Sequence, residues 1–325
     1  MTLIRDVDRE LLPALFGDAG VKACDWRSIA AAAARHSARA LVSTGRLLGL
    51  PVAQWNEHPV SPAVETMVLG RHRKRTIGHR PLVVDLSAIW AGPLVGHLLW
   101  QAGMEVVKVE SRSRQDLIRA DDPATFARIN QGKASLLVDF SDDEEKAALI
   151  RLIRRADVVI ESSRPRALQQ LGIDAEALVR GTAGLVWLSV TGHGARGEAA
   201  NWTGIGNDCG VAGGLTRAMA EAGGGIGYVG DAIADPLTGI IGAREVLAAY
   251  GDGFARRIGL SMSAVVAMAL AEERAYDRQR IDAELRAWGT AVGSPFPHVE
   301  PRSLTAAVRT VGADNARYLG TEAPC

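Results

Sequence analysis

Residues 81–110 read PLVVDLSAIWAGPLVGHLLWQAGMEVVKVE. Leu82-Val83-Val84-Asp85-Leu86 is a short apolar run of the kind that forms a buried strand. Pro93 to Ala102 reads as a short helix, with proline at its start and Gly103 after its end. Glu105 to Glu110 is the next strand. The alternation continues downstream, with strands at Ser135–Phe140, Asp157–Glu161 and Leu185–Val190. Ser141-Asp142-Asp143-Glu144 has the form of an N-cap followed by acidic first-turn residues. The helix it opens carries Ala148, Leu149, Leu152 and Ile153 on one face. Apolar strands alternating with helices predict an α/β fold, a mainly parallel sheet covered by helices on both faces. Ligands of such sheets bind beyond the carboxyl ends of the strands.

On the N-terminal side, residues 1–79 are Ala-rich and helical in pattern. Asp25 is placed to cap a helix from Trp26 to about Leu47, with Ile29, Ala33, Ala40, Leu41 and Leu47 as its apolar stripe. Gly49, Pro51, Pro59 and Pro62 then break the pattern. The run Arg71-His72-Arg73-Lys74-Arg75 could grip a phosphate, but such a run before a domain is more often a solvated linker. On the C-terminal side, Gly204 to Gly230 is dense in glycine and reads as a flexible loop, or as a lid that brings backbone N–H groups to a ligand. Residues 231–239 lead into a helix to about Tyr250. A strand near Ile258–Met262 precedes a long helix from Ser263.

Lys and Arg together match Asp and Glu at 37 each, so the formal net charge is zero. That balance argues against a nucleic-acid or membrane-surface protein, which usually needs a basic excess. Cys24, Cys209 and Cys325 are too few and too widely spaced for a disulfide framework or a zinc motif, which points to a reducing compartment. Cys209 reads as a buried structural thiol, because no histidine stands near it in sequence. Cys325 reads as an exposed thiol. The first ten residues lack the apolar region of a signal peptide, and no apolar run reaches membrane-spanning length. The expected location is cytoplasmic.

Several stretches, taken in order, resemble family III CoA-transferases. Residues 85–93, Asp-Leu-Ser-Ala-Ile-Trp-Ala-Gly-Pro, look like that family's first strand and its Ala-Gly-Pro turn. Residues 102–110 look like its next strand with a Lys-Val-Glu ending. Asn130-Gln131-Gly132-Lys133 and Leu137-Val138-Asp139 are similar to its Asn-Arg-Gly-Lys and Leu-Asp-Leu-Lys. Residues 156–165 resemble Ala-Asp-Val-Val-Val-Glu-Asn-Phe-Arg-Pro. Leu171-Gly172, Ser189–Gly194 and Asp231–Asp235 continue the series. The resemblance runs from about Pro81 to Leu270.

It implies a Rossmann-like large domain over 80–325, after an N-terminal helical segment 1–79, with the family's smaller domain reduced or missing. It implies transfer of CoA between carboxylic acids, with coenzyme A or acyl-CoA as ligand, no tightly bound cofactor, no metal and a dimeric assembly. By position, Ile89, Ala91, Val138 and Ser141 would line the adenine end of CoA. Ser162 and Ser163 would face the pyrophosphate, and Arg112, Lys133 and Arg164 remain as cationic contacts. In the family an aspartate accepts the acyl group as a mixed anhydride and then becomes a CoA thioester.

Two departures bear on activity. Counting back from Asp231–Asp235 puts that aspartate at Gly223, which leaves Glu221 as the nearest carboxylate. Cationic positions also thin out, with Ser111, Ser141 and Gln170 where the family has basic residues. Three readings stay open. The chain is an enzyme acting on acyl-CoA, a non-catalytic relative that binds a CoA ester or another protein, or a repurposed site that uses Glu221, Asp231 or Asp235 as acid or base.

Overall fold

The computed structural model describes residues 1–76, 78–291 and 302–320; Cys325 lies outside them. The described chain forms two compact units. One comprises 1–63, 191–235 and 261–291, the other 64–190, 236–260 and 302–320.

The second unit is built on a seven-stranded sheet. Its strands are β1 (Val64–His72), β2 (Leu82–Asp85), β3 (Glu105–Ser111), β4 (Ala134–Val138), β5 (Val158–Glu161), β6 (Val186–Thr191) and β7 (Phe254–Ser261). The spatial order is β1-β7-β6-β5-β2-β3-β4. Strands β6, β5, β2, β3 and β4 are parallel, and β1 pairs antiparallel with β7 at one edge. Alternate residues face opposite ways along a strand. Val84, Val159 and Trp187 pack with Leu149, Leu152, Ile153 and Leu178, from the helices Asp143–Arg155 and Ala175–Gly181. Their strand neighbours Ile160 and Leu188 instead face Gly92 and Gly242, on the helices Ala91–Gln101 and Ala234–Asp252. The sheet is thus covered on both faces, which is why strands such as β2, β5 and β6 carry buried apolar residues at successive positions rather than alternating ones.

Strand β1 went unread in the sequence. Prolines precede it, its burial is partial along its length, and it runs into the 71–75 charge run. That run is not a solvated linker. Arg73 and Arg75 both pair with the buried Asp157 at the start of β5, and Arg75 also donates to Gly184 O at 2.8 Å.

Beneath the carboxyl end of β2 lies a buried ionic network. Lys133 Nζ donates to Asp85 Oδ2 at 2.8 Å, to Pro93 O at 2.8 Å and to Asn130 Oδ1 at 2.9 Å. Asp85 is 0% exposed and Lys133 is 2% exposed. Burial acts to raise the Asp85 carboxyl, but the charges of Lys133 and Lys108 outweigh it and hold it below its ordinary value. Burial also lowers the Lys133 ammonium to about 8, so both members are charged near neutral pH. The pair shapes the helix beside it. A Cβ on Gly96 would stand 2.8 Å from Asp85 Oδ2, closer than real Cβ contacts, and 3.0 Å from Lys133 Nζ, tighter than nearly all of them.

The first unit is helical. The helices Asp6–Glu10, Leu12–Phe16, Trp26–Ala33 and Ala38–Leu47 enclose a small core of Leu12, Leu15, Phe16, Ile29, Ala32 and Leu50. The single helix expected from Trp26 to Leu47 is two. Asp25 caps the first, accepting from Arg27 N, and Ser37 caps the second, accepting from Ala40 N. Serine at a helix interior competes for backbone donors, and here it starts a new helix instead. The glycine-rich stretch is also not one loop. It contains the helices Gly206–Ala212 and Leu215–Glu221, packed against the helix Met262–Thr290. A Cβ on Gly213 would stand 2.5 Å from Val266 Cβ, so glycine there permits close helix approach rather than mobility. Among the described residues no helix is long and apolar enough to cross a membrane.

Two substitutions test the buried pair. Lys133→Ala leaves Asp85 buried without its countercharge and should cost about 3–5 kcal/mol in urea unfolding; a loss under about 1 kcal/mol would show that water reaches the carboxylate. Gly96→Ala normally stabilises a helix interior by about 1 kcal/mol. Here it should destabilise by about 1–3 kcal/mol, because the methyl drives into the pair. A raised Tm for Gly96→Ala would overturn this packing.

Candidate active site

Within the sheet unit, the turn after β2 is held from below and from the side. Ser87 N donates to Asp85 Oδ1 at 3.1 Å, and Lys108 Nζ reaches Ser87 O at 3.0 Å and Asp116 Oδ2 at 2.8 Å. Asp116 in turn accepts from Ile89 N at 3.1 Å. Ala88 N donates to Ser162 Oγ at 3.2 Å, which ties this turn to the one after β5. The result is an unusual backbone. Ile89 has φ 69°, a region that a β-branched residue enters only under constraint. Such strain is of order 1–3 kcal/mol and clusters at ligand sites.

The predicted site residues separate into groups. Ile89, Ala91, Ser162 and Ser163 lie together at the adjoining ends of β2 and β5, with Ala91 opening the helix Ala91–Gln101. Ser163 N caps the buried Glu161 at 2.8 Å. Burial raises the Glu161 carboxyl, against smaller opposing effects of Ser189, Ser163 and Arg257. Arg112, Val138 and Ser141 form a second group at the ends of β3 and β4. Arg112 N donates to Val138 O at 2.8 Å, and its guanidinium reaches Glu145 Oε1 at 2.8 Å. Ser141 N donates to Asp139 Oδ1 at 2.9 Å, and Val138 is core. Lys133 joins neither surface, since its ammonium lies inside with Asp85. Arg164 is exposed at the N-cap of the helix Pro165–Gln170.

Glu221 belongs to the other unit. It ends the helix Leu215–Glu221, with its carboxylate 3.2 Å from Arg274 Nη2 and 3.8 Å from Arg217 Nε. Gly223 has φ 87° and follows that helix, a left-handed position suited to glycine.

The same unit holds a buried polar cluster whose members the sequence did not bring together. His193, Asp208 and Cys209 are 4%, 0% and 0% exposed. His193 Nε2 stands 3.5 Å from Asp208 Oδ2, and Cys209 Sγ stands 4.0 Å from the same oxygen. Asp208 Oδ1 accepts from Ile205 N at 3.0 Å, fixing the carboxylate at its helix start. The His193 ring packs edge-on against Trp202 at 5.7 Å, and Trp202 is covered by the Arg46 guanidinium. Burial pushes the Cys209 thiol well above its ordinary value, with Asp208, Asp235 and Glu57 adding to it. Gly192 and Gly204 let the two segments meet, since a Cβ on Gly192 would lie 2.5 Å from Gly204 Cα. No histidine lies near Cys209 in sequence, and the fold brings His193 to it. Buried carboxylates at strand ends, such as Asp85 and Glu161, carried no separate signal either, because they sit within apolar runs.

Comparison with known proteins gives this geometry its setting. The family profile described as CoA-transferase family III matches residues 81–294, about two-thirds of the chain. Succinate–glutarate CoA-transferase of Agrobacterium fabrum is 32% identical over 180 residues, covering 51% of this chain and 45% of that one. Succinyl-CoA:mesaconate CoA-transferase of Haloarcula hispanica is 31% identical over 182 residues, covering 51% and 46%. A crystal structure of a CAIB/BAIF family protein from Brucella suis superposes with a TM-score of 0.56 at 29% identity, covering 61% of this chain and 56% of that one. The chain spans less than half the length of these two curated relatives. With that profile matching from the start of β2 through the helix Met262–Thr290, the chain belongs to CoA-transferase family III.

Proposed function

We propose that the chain binds acyl-CoA esters at the carboxyl ends of β2 and β5 and moves CoA between carboxylic acids. The observation that carries the binding half is Ile89. A β-branched residue held at φ 69° by Asp116, at a strand end next to a helix start, is a pre-formed surface whose strain has no role in the core. Ile89 offers apolar contact for an adenine ring, and Ala91, buried behind it, opens the adjoining helix. Ser162, Ser163 and the exposed Arg164 offer donors for a pyrophosphate, while Arg112 and Ser141 extend the strand ends over the buried Val138. Lys133 supports this surface from beneath, through Asp85 and Pro93 O, rather than by touching ligand.

Transfer needs a carboxylate. It attacks the thioester carbonyl and expels the CoA thiolate, giving a mixed anhydride. The thiolate then attacks the enzyme's carbonyl, releasing the donor acid and leaving an enzyme–CoA thioester for the acceptor. Glu221 is the carboxylate we assign, with Arg274 Nη2 at 3.2 Å and Arg217 Nε at 3.8 Å beside it. Those same pairs also suit a second reading, a relative that binds CoA esters without transferring CoA. We further place the protein in the cytoplasm as a homodimer, without nucleic-acid or membrane partners.

Calorimetric titration with CoA and a panel of acyl-CoA esters should show micromolar binding. Ile89→Gly should keep the fold but lose about 1 kcal/mol of affinity, a roughly fivefold rise in Kd. Equal affinity in the two proteins, or no binding in either, would remove this surface as the site. In a transfer assay Glu221→Gln should abolish exchange between carboxylic acids while leaving CoA affinity intact. Unchanged exchange would remove Glu221, and absent exchange in the unaltered protein would favour the non-transferring reading.

A further inference from the structure

We propose that His193, Asp208 and Cys209 form a binding site for one thiophilic divalent cation of zinc's kind. The three side chains offer an imidazole nitrogen, a carboxylate oxygen and a sulfur whose ligand atoms all lie within 4.8 Å of one another. Ligands around a tetrahedral zinc, at about 2.0 Å for nitrogen and oxygen and about 2.3 Å for sulfur, stand about 3.3–3.7 Å apart. The 3.5 Å from His193 Nε2 to Asp208 Oδ2 falls in that range, and the 4.0 Å from Cys209 Sγ to Asp208 Oδ2 exceeds it by a few tenths of an ångström. To close the site the thiol must turn from Gly192 O, to which it donates at 3.4 Å, toward the carboxylate.

A second observation is independent of these distances. His193 is 4% exposed, yet its Nε2 has no hydrogen-bond partner while it faces Asp208. A buried ring nitrogen without a partner is costly and is resolved by a ligand on that atom. Gly204 packs close to both ligand atoms, and a Cβ there would stand 2.7 Å from Cys209 Sγ and 3.1 Å from His193 Nε2, so any side chain would crowd them. The electrostatics agree. Asp208 brings a buried negative charge, and Asp235 lies near enough to act on Cys209 as well. A cation in this position offsets that charge. The carboxylate is fixed for the task, because its other oxygen is held by Ile205 N.

Loading exchanges the Cys209 thiol proton for the cation, and the proton leaves to solvent. Three protein ligands leave a fourth position for water or a ligand oxygen, the arrangement of open rather than closed zinc sites. This site does not depend on the CoA surface or on Glu221. No sequence motif announces it, since Asp208 and Cys209 are adjacent and His193 precedes them without any recognised spacing.

Cobalt(II) is the probe, added to the tag-free full chain after chelator treatment. One equivalent should produce sulfur-to-cobalt charge-transfer absorption and ligand-field bands of four-coordinate strength. Cys209→Ala should abolish the charge-transfer band, while Cys24→Ala should keep it. His193→Ala and Asp208→Asn should each weaken cobalt binding by at least about tenfold. No charge-transfer band in the unaltered protein, or a band that survives Cys209→Ala, would overturn the site. Should Cys209→Ala fail to fold, X-ray absorption on the unaltered zinc-loaded protein decides. One sulfur at about 2.3 Å with nitrogen and oxygen near 2.0 Å supports the site, and a shell without sulfur refutes it.

Discussion

A carboxylate at the end of the central strand, sealed from water, sets much of the architecture around it. Taking an ion such as Asp85 out of water costs several kcal/mol unless another charge and good hydrogen bonds compensate. Lys133 supplies the charge, and its remaining donors go to Pro93 O and Asn130 Oδ1. One ammonium therefore ties together the end of β2, the start of the helix Ala91–Gln101 and the end of the helix Pro123–Asn130. Gly96 follows from the same constraint. A glycine inside a helix is a poor choice on propensity, yet any side chain there would displace the pair. Lys108 repeats the device one strand over, bridging Ser87 O and Asp116 and so holding the turn that carries Ile89.

This use of charge changes what the strand ends present to a ligand. Cations that by position looked ready for phosphates are committed elsewhere. Lys133 is internal, and Arg112 reaches Glu145. What remains at the ends of β2 and β5 is a strained turn, two serines and the exposed Arg164 at a helix start. The strain at Ile89 persists because Asp116 over-determines it, and Asp116 is itself fixed by Lys108 and by its own N–H to Glu110.

The helical unit follows a different logic. Its glycines serve close approach: Gly213 against Val266, Gly192 against Gly204. Bringing backbones together in this way also brings together side chains that the chain order keeps apart, and the enclosed space holds His193, Asp208 and Cys209. Glycine density thus reflects packing around a polar core there, whereas composition alone suggested a mobile loop.

The class of the fold was legible because periodicity is local. Five runs from Leu82 to Val190, rich in β-branched residues and separated by capped helices, admit few structures other than a covered parallel sheet. The order of short motifs carried the family, since those motifs are strand ends and turns with fixed local geometry. The edge strand β1 was hidden because partial burial and flanking prolines and charges erase the pattern a strand normally shows. The helix break at Ser37 was hidden because a capping residue and a helix residue can be the same amino acid. Which charges are internal was beyond reach, because Asp85 and Lys133 are 48 residues apart and only packing makes them neighbours. The same holds for His193 beside Asp208. Sequence determined the elements and their kinship; tertiary structure alone decided which polar groups are buried together, because burial depends on what long-range packing places above them.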